Sequence, residues 1–154
     1  MKLILTVVVL ALLSLSVKAQ EDISTPNNSY KTAIGVRLGP SVPVVKSGIT
    51  IKHFIGTNAI EGILSFGNGV AVCGLYEIHK NLPVDNLKWF IGFGGYAGFG
   101  SNTTNIGAAG IAGLDYKFTD IPLNISLDWK PELNIIPSVG FEASAVGFSA
   151  RFTF

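Results

Sequence analysis

The sequence predicts an all-β fold, an eight-stranded antiparallel up-and-down β-barrel that crosses a membrane with its strands. Three observations predict it. From Tyr30 to Phe154 apolar residues alternate with small or charged ones, which is the period of a strand. No window in that stretch carries the 3.6-residue period of an amphipathic helix. Glycine is abundant, 18 of 154 residues, and each Gly in a helix interior costs about 1 kcal/mol relative to Ala. The alternation divides into eight segments of about 8–13 residues joined by short turns, the spacing of consecutive hairpins. An even count lets a meander close on itself and abolish its edges.

Composition removes other classes. Lys+Arg total 11 and Asp+Glu total 10, a net charge of +1, so nucleic acid is not an expected partner, because phosphate neutralisation needs a basic excess. The single cysteine, Cys73, excludes an intrachain disulfide framework and a Cys-rich zinc site. Mean hydropathy is high, +0.47. Met1-Lys2 followed by the apolar run Leu3 to Val17 and the small-x-small site Val17-Lys18-Ala19 reads as a secretory signal peptide, residues 1–19, cleaved after Ala19. Residues 20–29 (QEDISTPNNS) form a polar leader, and residues 30–154 the barrel domain.

Each element follows from its own pattern. The first segment sets Tyr30, Thr32, Ile34, Val36 and Leu38 against Lys31, Ala33, Gly35, Arg37 and Gly39, and ends in a loop at Pro40 and Pro43. The second sets Ile49, Ile51, His53 and Ile55 against Thr50, Lys52 and Phe54, and turns at Gly56-Thr57-Asn58. The third has Ile60, Leu64 and Phe66 opposite Glu61 and Ser65; the fourth has Val72, Tyr76 and Ile78 opposite Cys73, Glu77 and His79. The fifth places Leu87, Trp89, Ile91 and Phe93 against Lys88, Phe90, Gly92 and Gly94. The sixth places Ile106, Ala108, Leu114, Tyr116 and Phe118 against Gly107, Ala109, Asp115 and Lys117. The seventh alternates most cleanly, with Leu123, Ile125, Leu127 and Trp129 against Asn124, Ser126, Asp128 and Lys130. Pro131 predicts a bulge or an early end there. The last sets Val146, Phe148, Ala150, Phe152 and Phe154 against Gly147, Ser149, Arg151 and Thr153.

Alternation alone does not say which face is outside. The polar face decides. Its charges are Lys31, Arg37, Lys52, Glu61, Glu77, Lys88, Asp115, Lys117, Asp128, Lys130, Glu132 and Arg151, seven positive and five negative. Its other positions are mostly Gly, Ala, Ser and Asn. Glycine weakens a water-exposed strand and packs nothing, whereas the narrow interior of an eight-stranded barrel needs small residues. Buried charges must be paired. A closed lumen network of Arg37, Glu61, Glu77, Lys88, Asp128 and Arg151 is therefore expected, with Ile34, Val36, Leu127, Phe148 and Phe152 facing outward. Aromatics near the strand ends then form two girdles: Tyr30, Tyr76, Trp89, Tyr116, Phe118, Phe152 and Phe154 at one rim, and Phe66, Phe93, Phe99 and Trp129 towards the other.

The C-terminal VGFSARFTF, with Val146, Phe148, Phe152 and Phe154 at alternate positions, resembles the terminal assembly signal of bacterial outer-membrane β-barrels. The stretch Gly113-Leu-Asp-Tyr-Lys-Phe to Asp128-Trp-Lys-Pro131 is similar to one in short barrels of that type. The resemblance covers nearly all of the mature chain. It implies residence in the outer membrane of a Gram-negative cell, outer-membrane lipid as surroundings, and the barrel-assembly machinery as a partner during biogenesis. It is silent about activity.

No catalytic residue, metal ligand or cofactor site is expected. Gly92-Phe-Gly94-Gly95-Tyr-Ala-Gly98 superficially suggests a nucleotide loop, but no helix follows to hold a phosphate. The reading is a non-enzymatic membrane barrel with a structural or rim-binding role. The alternatives are a lipid A-modifying enzyme and a soluble exported barrel that binds an apolar ligand. The enzyme would place a His, Ser and acid cluster at the outer rim, yet His53 and His79 fall towards the opposite end.

Overall fold

The computed structural model describes residues 30–40, 44–67 and 69–154. The expected signal peptide and leader lie outside the described residues. Ten strands follow in order: β1 (Thr32–Leu38), β2 (Gly48–Ile55), β3 (Asn58–Phe66), β4 (Gly69–Asn81), β5 (Leu87–Gly100), β6 (Thr104–Lys117), β7 (Leu123–Trp129), β8 (Glu132–Ile136), β9 (Gly140–Glu142) and β10 (Val146–Thr153). Every pairing is antiparallel, and β1 pairs with both β2 and β10, which closes the sheet. Both β7 and β8 lie along β6, while β9 pairs with β8 and β10 with β7. Ten strands thus make eight staves of a closed antiparallel barrel, as the sequence predicts.

The hairpin turns obey local chemistry. Ile55 pairs with Asn58 across a two-residue turn, and Gly56 at its first central position has φ 65°. That left-handed conformation is the one a tight hairpin of matching twist requires, and glycine adopts it without a Cβ penalty.

Pro131 divides the seventh stave without a bulge at the proline itself; the stave's own irregularity lies further on, where Ile136 pairs with Ile106 but Asn134 with Gly107. Against β6 the register holds across the proline: Trp129 pairs with Ala112 and Glu132 with Ala109. The Gly110 amide still donates to the Pro131 carbonyl at 3.0 Å. The proline lacks only the returning N–H. On the other side, Trp129 pairs with Val146 but Glu132 pairs with Glu142. The extra residue therefore sits on the eighth stave at Ala143–Ser144, a β-bulge. The Trp129 indole donates to the Ala143 carbonyl at 2.7 Å and the Ser144 amide donates to Glu142 at 2.7 Å. These bonds satisfy backbone groups that the ladder leaves out.

The faces divide as the alternation predicts. Ile34, Val36, Leu127, Phe148 and Phe152 are exposed on the outside, while Arg37, Thr50, Lys52, Glu61, Glu77, Asp128 and Arg151 are buried inside. Two expectations need correction. Tyr76 and Phe93 are register partners with ring centroids 6.2 Å apart, so they sit side by side at mid-wall and not in opposite girdles, and Trp129, in register with Ala112, is at mid-wall too. The lumen is also not polar throughout. Val45, Ile63, Cys73, Leu75, Phe90, Tyr96 and Ile111 form one buried apolar cluster within it. Three of these inward residues, Ile63, Leu75 and Tyr96, each follow an outward glycine, namely Gly62, Gly74 and Gly95, and those glycines are aligned across β3, β4 and β5. There the strand period persists while its polarity is inverted.

Candidate functional site

The lumen is built in layers from the end that holds the termini of β1 and β10. An aromatic floor comes first. Tyr30 packs edge-on against Phe54 at 5.1 Å, Phe54 against His79 at 4.8 Å, and His79 stacks on Phe90 at 5.0 Å. The expected outward position of Tyr30 is thus corrected. It precedes β1, so no ladder fixes its direction, and its hydroxyl reaches inward to Asp115 at 3.4 Å. Burial, and the Asp115 carboxylate beside it, push the Tyr30 phenol well above its ordinary value. The hydroxyl therefore stays protonated as a donor.

Above the floor lies the charge layer. The Lys52 ammonium is 2.8 Å from Glu77, 3.4 Å from Asp115 and 3.5 Å from Glu61. Arg151 reaches Glu61, Ser126 at 2.7 Å and Thr50 at 3.2 Å. Thr50 passes that contact on by donating to Glu61. Asn124 donates to Asp115 at 2.6 Å, and its carbonyl accepts from Arg151 at 3.4 Å. Arg37 grips Asp128 through both terminal nitrogens, with Nη2 at 2.7 Å from Oδ1. Gly147 and Gly113 make room for this pair and for Phe90. A Cβ on Gly113 would stand 2.8 Å from both the Phe90 ring and the Asp128 Cβ.

The third layer closes the loop end. Lys130 pairs with Glu132. Glu132 also accepts the amides of Val44 at 2.8 Å and Val45 at 3.2 Å. This draws the segment after β1 into the mouth and seats the Val45 side chain in the apolar cluster. A buried carboxylate with a cation and two amide donors keeps its charge compensated.

Five of the six lumen residues named from sequence come together here: Arg37, Glu61, Glu77, Asp128 and Arg151 are all buried and ion-paired. Lys88 stands at the edge of this group, in register with Asp115. It is half-buried at the termini end, with its ammonium 5.2 Å from the Phe54 ring centroid. Lys52, Asp115, Lys130 and Glu132, polar-face charges beyond those six, are buried in the lumen as well. Only the register reveals Lys52 as the hub. Lys31 is exposed, and Lys117 donates to the Ile121 carbonyl at 3.0 Å at the rim. The seven-to-five charge ratio of the polar face becomes four buried cations against five buried carboxylates, and His79 lies 2.8 Å from Glu77.

The four residues of the C-terminal pattern, Val146, Phe148, Phe152 and Phe154, are all exposed on the outer face. Both histidines lie in the termini half: His53 pairs in register with Thr32, and His79 with Phe90. Among the described residues no three His, Cys, Asp or Glu side chains are arranged to hold a metal ion. Cavities open at both mouths, among them one of about 420 Å³ at the loop end and one of about 700 Å³ at the termini end. No protein-family profile, curated protein or solved structure matches the chain. The functional reading therefore rests on the geometry and the sequence.

Proposed function

We propose that this protein is an integral outer-membrane β-barrel with a closed, charge-paired interior and no enzymatic activity, serving the envelope as a structural element or through its rims. One observation carries the reading. Polarity is reversed relative to a soluble barrel: the ion pairs are inside, and every stave presents large apolar side chains outside, from Ile34 and Val36 on β1 to Phe148 and Phe152 on β10. A soluble monomer rarely exposes a contiguous apolar patch above a few hundred Å², whereas lipid requires such a belt. Lys80, at the termini end of β4, lies 5.8 Å from the Trp89 ring centroid, an arrangement suited to an interface where the ammonium reaches water and the indole does not. The lipid A-modifying alternative has less support, because both histidines lie away from the loop end. The soluble alternative has less support because the apolar part of the lumen is filled by the protein's own side chains.

Expression of the full chain in a Gram-negative host, envelope fractionation and gels of unheated and heated samples test the reading. Recovery with the outer membrane, and a folded band whose migration changes on heating, are expected. Recovery in the soluble periplasmic fraction would overturn it. In the same assay, deletion of Phe154 is expected to lower outer-membrane levels more than Ile49→Ser with Ile51→Ser. Polar changes at mid-wall damage lipid solvation at least as much as changes at a rim, so a larger defect at Phe154 reports recognition during assembly. Equal levels for the Phe154 deletion and the wild type would remove the assembly role.

A further inference from the structure

We propose that the loop-end cleft between Gly67 and Gly69, the β5–β6 turn and the Val44–Lys46 segment binds the phosphate of an anionic amphiphile. The cleft is about 420 Å³, within the roughly 300–1,000 Å³ range of small-molecule sites. Among the described residues its lining contains one charged side chain, Lys46, and no carboxylate. This sets Lys46 apart from the buried cations of the lumen. Arg37, Lys52, Lys130 and Arg151 each have a carboxylate partner, while the half-buried Lys46 has no ion pair among the described residues. A cation held in a cavity without a counter-charge favours an anionic ligand.

Lys46 is also held in place. Its amide donates to Ser65 Oγ at 3.0 Å. Its stem crosses Gly67, where a Cβ would stand 3.1 Å from Lys46 Cδ and 3.6 Å from Nζ. Ser101, Asn102 and Thr103 of the β5–β6 turn line the same space and bring hydroxyl and amide side chains to its rim. Donors on several sides suit a tetrahedral anion with several acceptor oxygens, and lysine serves phosphate as a point charge. The outer wall of the cleft is different in kind. Phe66, Val70 and Phe99 line it and are 50, 43 and 55% exposed, continuous with the apolar belt. A ligand with its phosphate at Lys46 and its chain along these three side chains satisfies both surfaces. That the ligand is a membrane lipid, rather than free phosphate, rests on the membrane reading above.

The test uses the full chain in a non-ionic detergent, titrated with dihexanoyl phosphatidic acid, dihexanoylglycerol or inorganic phosphate, and followed by backbone amide shifts. Saturable shifts confined to Gly67, Gly69, the β5–β6 turn and the Val44–Lys46 segment are expected with the phosphatidic acid. The apparent affinity should fall about tenfold or more in Lys46→Gln, the loss of one charge-assisted contact, and be restored in Lys46→Arg. Equal affinity in Lys46→Gln, or shifts spread over the whole outer face, would overturn the site. Saturation by inorganic phosphate at the same concentration would overturn the amphiphile in favour of free phosphate, and equal binding of dihexanoylglycerol would overturn the role of the phosphate. If the chain stays monodisperse without detergent, the membrane reading fails alone, and the titration in buffer still decides the site.

Discussion

Lys52 is the side chain on which the interior depends most. It is 0% exposed, and its ammonium serves Glu61, Glu77 and Asp115 together. Replacing it with methionine keeps the apolar stem but takes the ammonium from three buried carboxylates, while Arg151 pairs with Glu61. Lys52→Met is expected to lower refolding stability by about 3–5 kcal/mol, the cost of stranding buried charge, measured as a shift of the urea midpoint at constant slope. Arg37→Met alone should behave similarly, whereas Arg37→Met combined with Asp128→Leu should cost less than either single change, because no unpaired charge remains. Glycines separate by the same reasoning about surroundings. At Gly74 an added Cβ meets nothing within 4 Å, while at Gly113 it would meet Phe90 and Asp128 at 2.8 Å. Gly74→Ala is expected to be neutral or stabilising by up to about 1 kcal/mol, and Gly113→Ala to destabilise by roughly 1–3 kcal/mol through overpacking.

At the scale of elements, the alternation located all eight staves and their inward faces, because a half-buried strand writes its period directly into the chain. It fell silent at Gly62-Ile63, Gly74-Leu75 and Gly110-Ile111. There the outward residue is small and the inward one apolar, so hydrophobicity no longer tells the faces apart. The apolar part of the lumen was illegible for that reason. The hub role of Lys52 was illegible for another: pairing among twelve charges depends on register across strands distant in sequence, as with Lys52 and Asp115. Pro131 signalled an irregularity, but its cross-strand consequence lies at Ala143–Ser144. Deleting Ser144 would remove the extra residue and leave a regular ladder, in which Ala145 and Glu142 still face inward and Phe141 still faces outward. A cysteine at position 141, after Cys73→Ser, should therefore keep its reactivity towards lipid-soluble maleimide in the deletion, and loss of that reactivity would contradict the bulge. Ser144→Gly, which keeps the count, should leave that reactivity unchanged.

For the whole molecule, the central claim is that the outer face meets lipid. The closed eight-stave barrel gives the interior no remaining edge at the β1–β10 seam, and its buried charge is balanced to within one carboxylate before His79 or Lys88 is counted. Such an interior needs no ligand to fill it, so the question of function moves to the outer surface and the rims. Both tryptophans of the chain lie on that surface, Trp129 at mid-wall beside Ala112 and Val146, and Trp89 nearer the termini end beside Lys80. Quenching of their emission by bromine-labelled phospholipid, after refolding into vesicles, therefore tests the claim most directly. Strong quenching of both is expected, with Trp129, isolated in Trp89→Phe, quenched best by bromine deep in the acyl chain, and Trp89, isolated in Trp129→Phe, by bromine near the headgroup. Folded protein that stays in the supernatant when the vesicles are pelleted, with emission unchanged by brominated lipid, would contradict it.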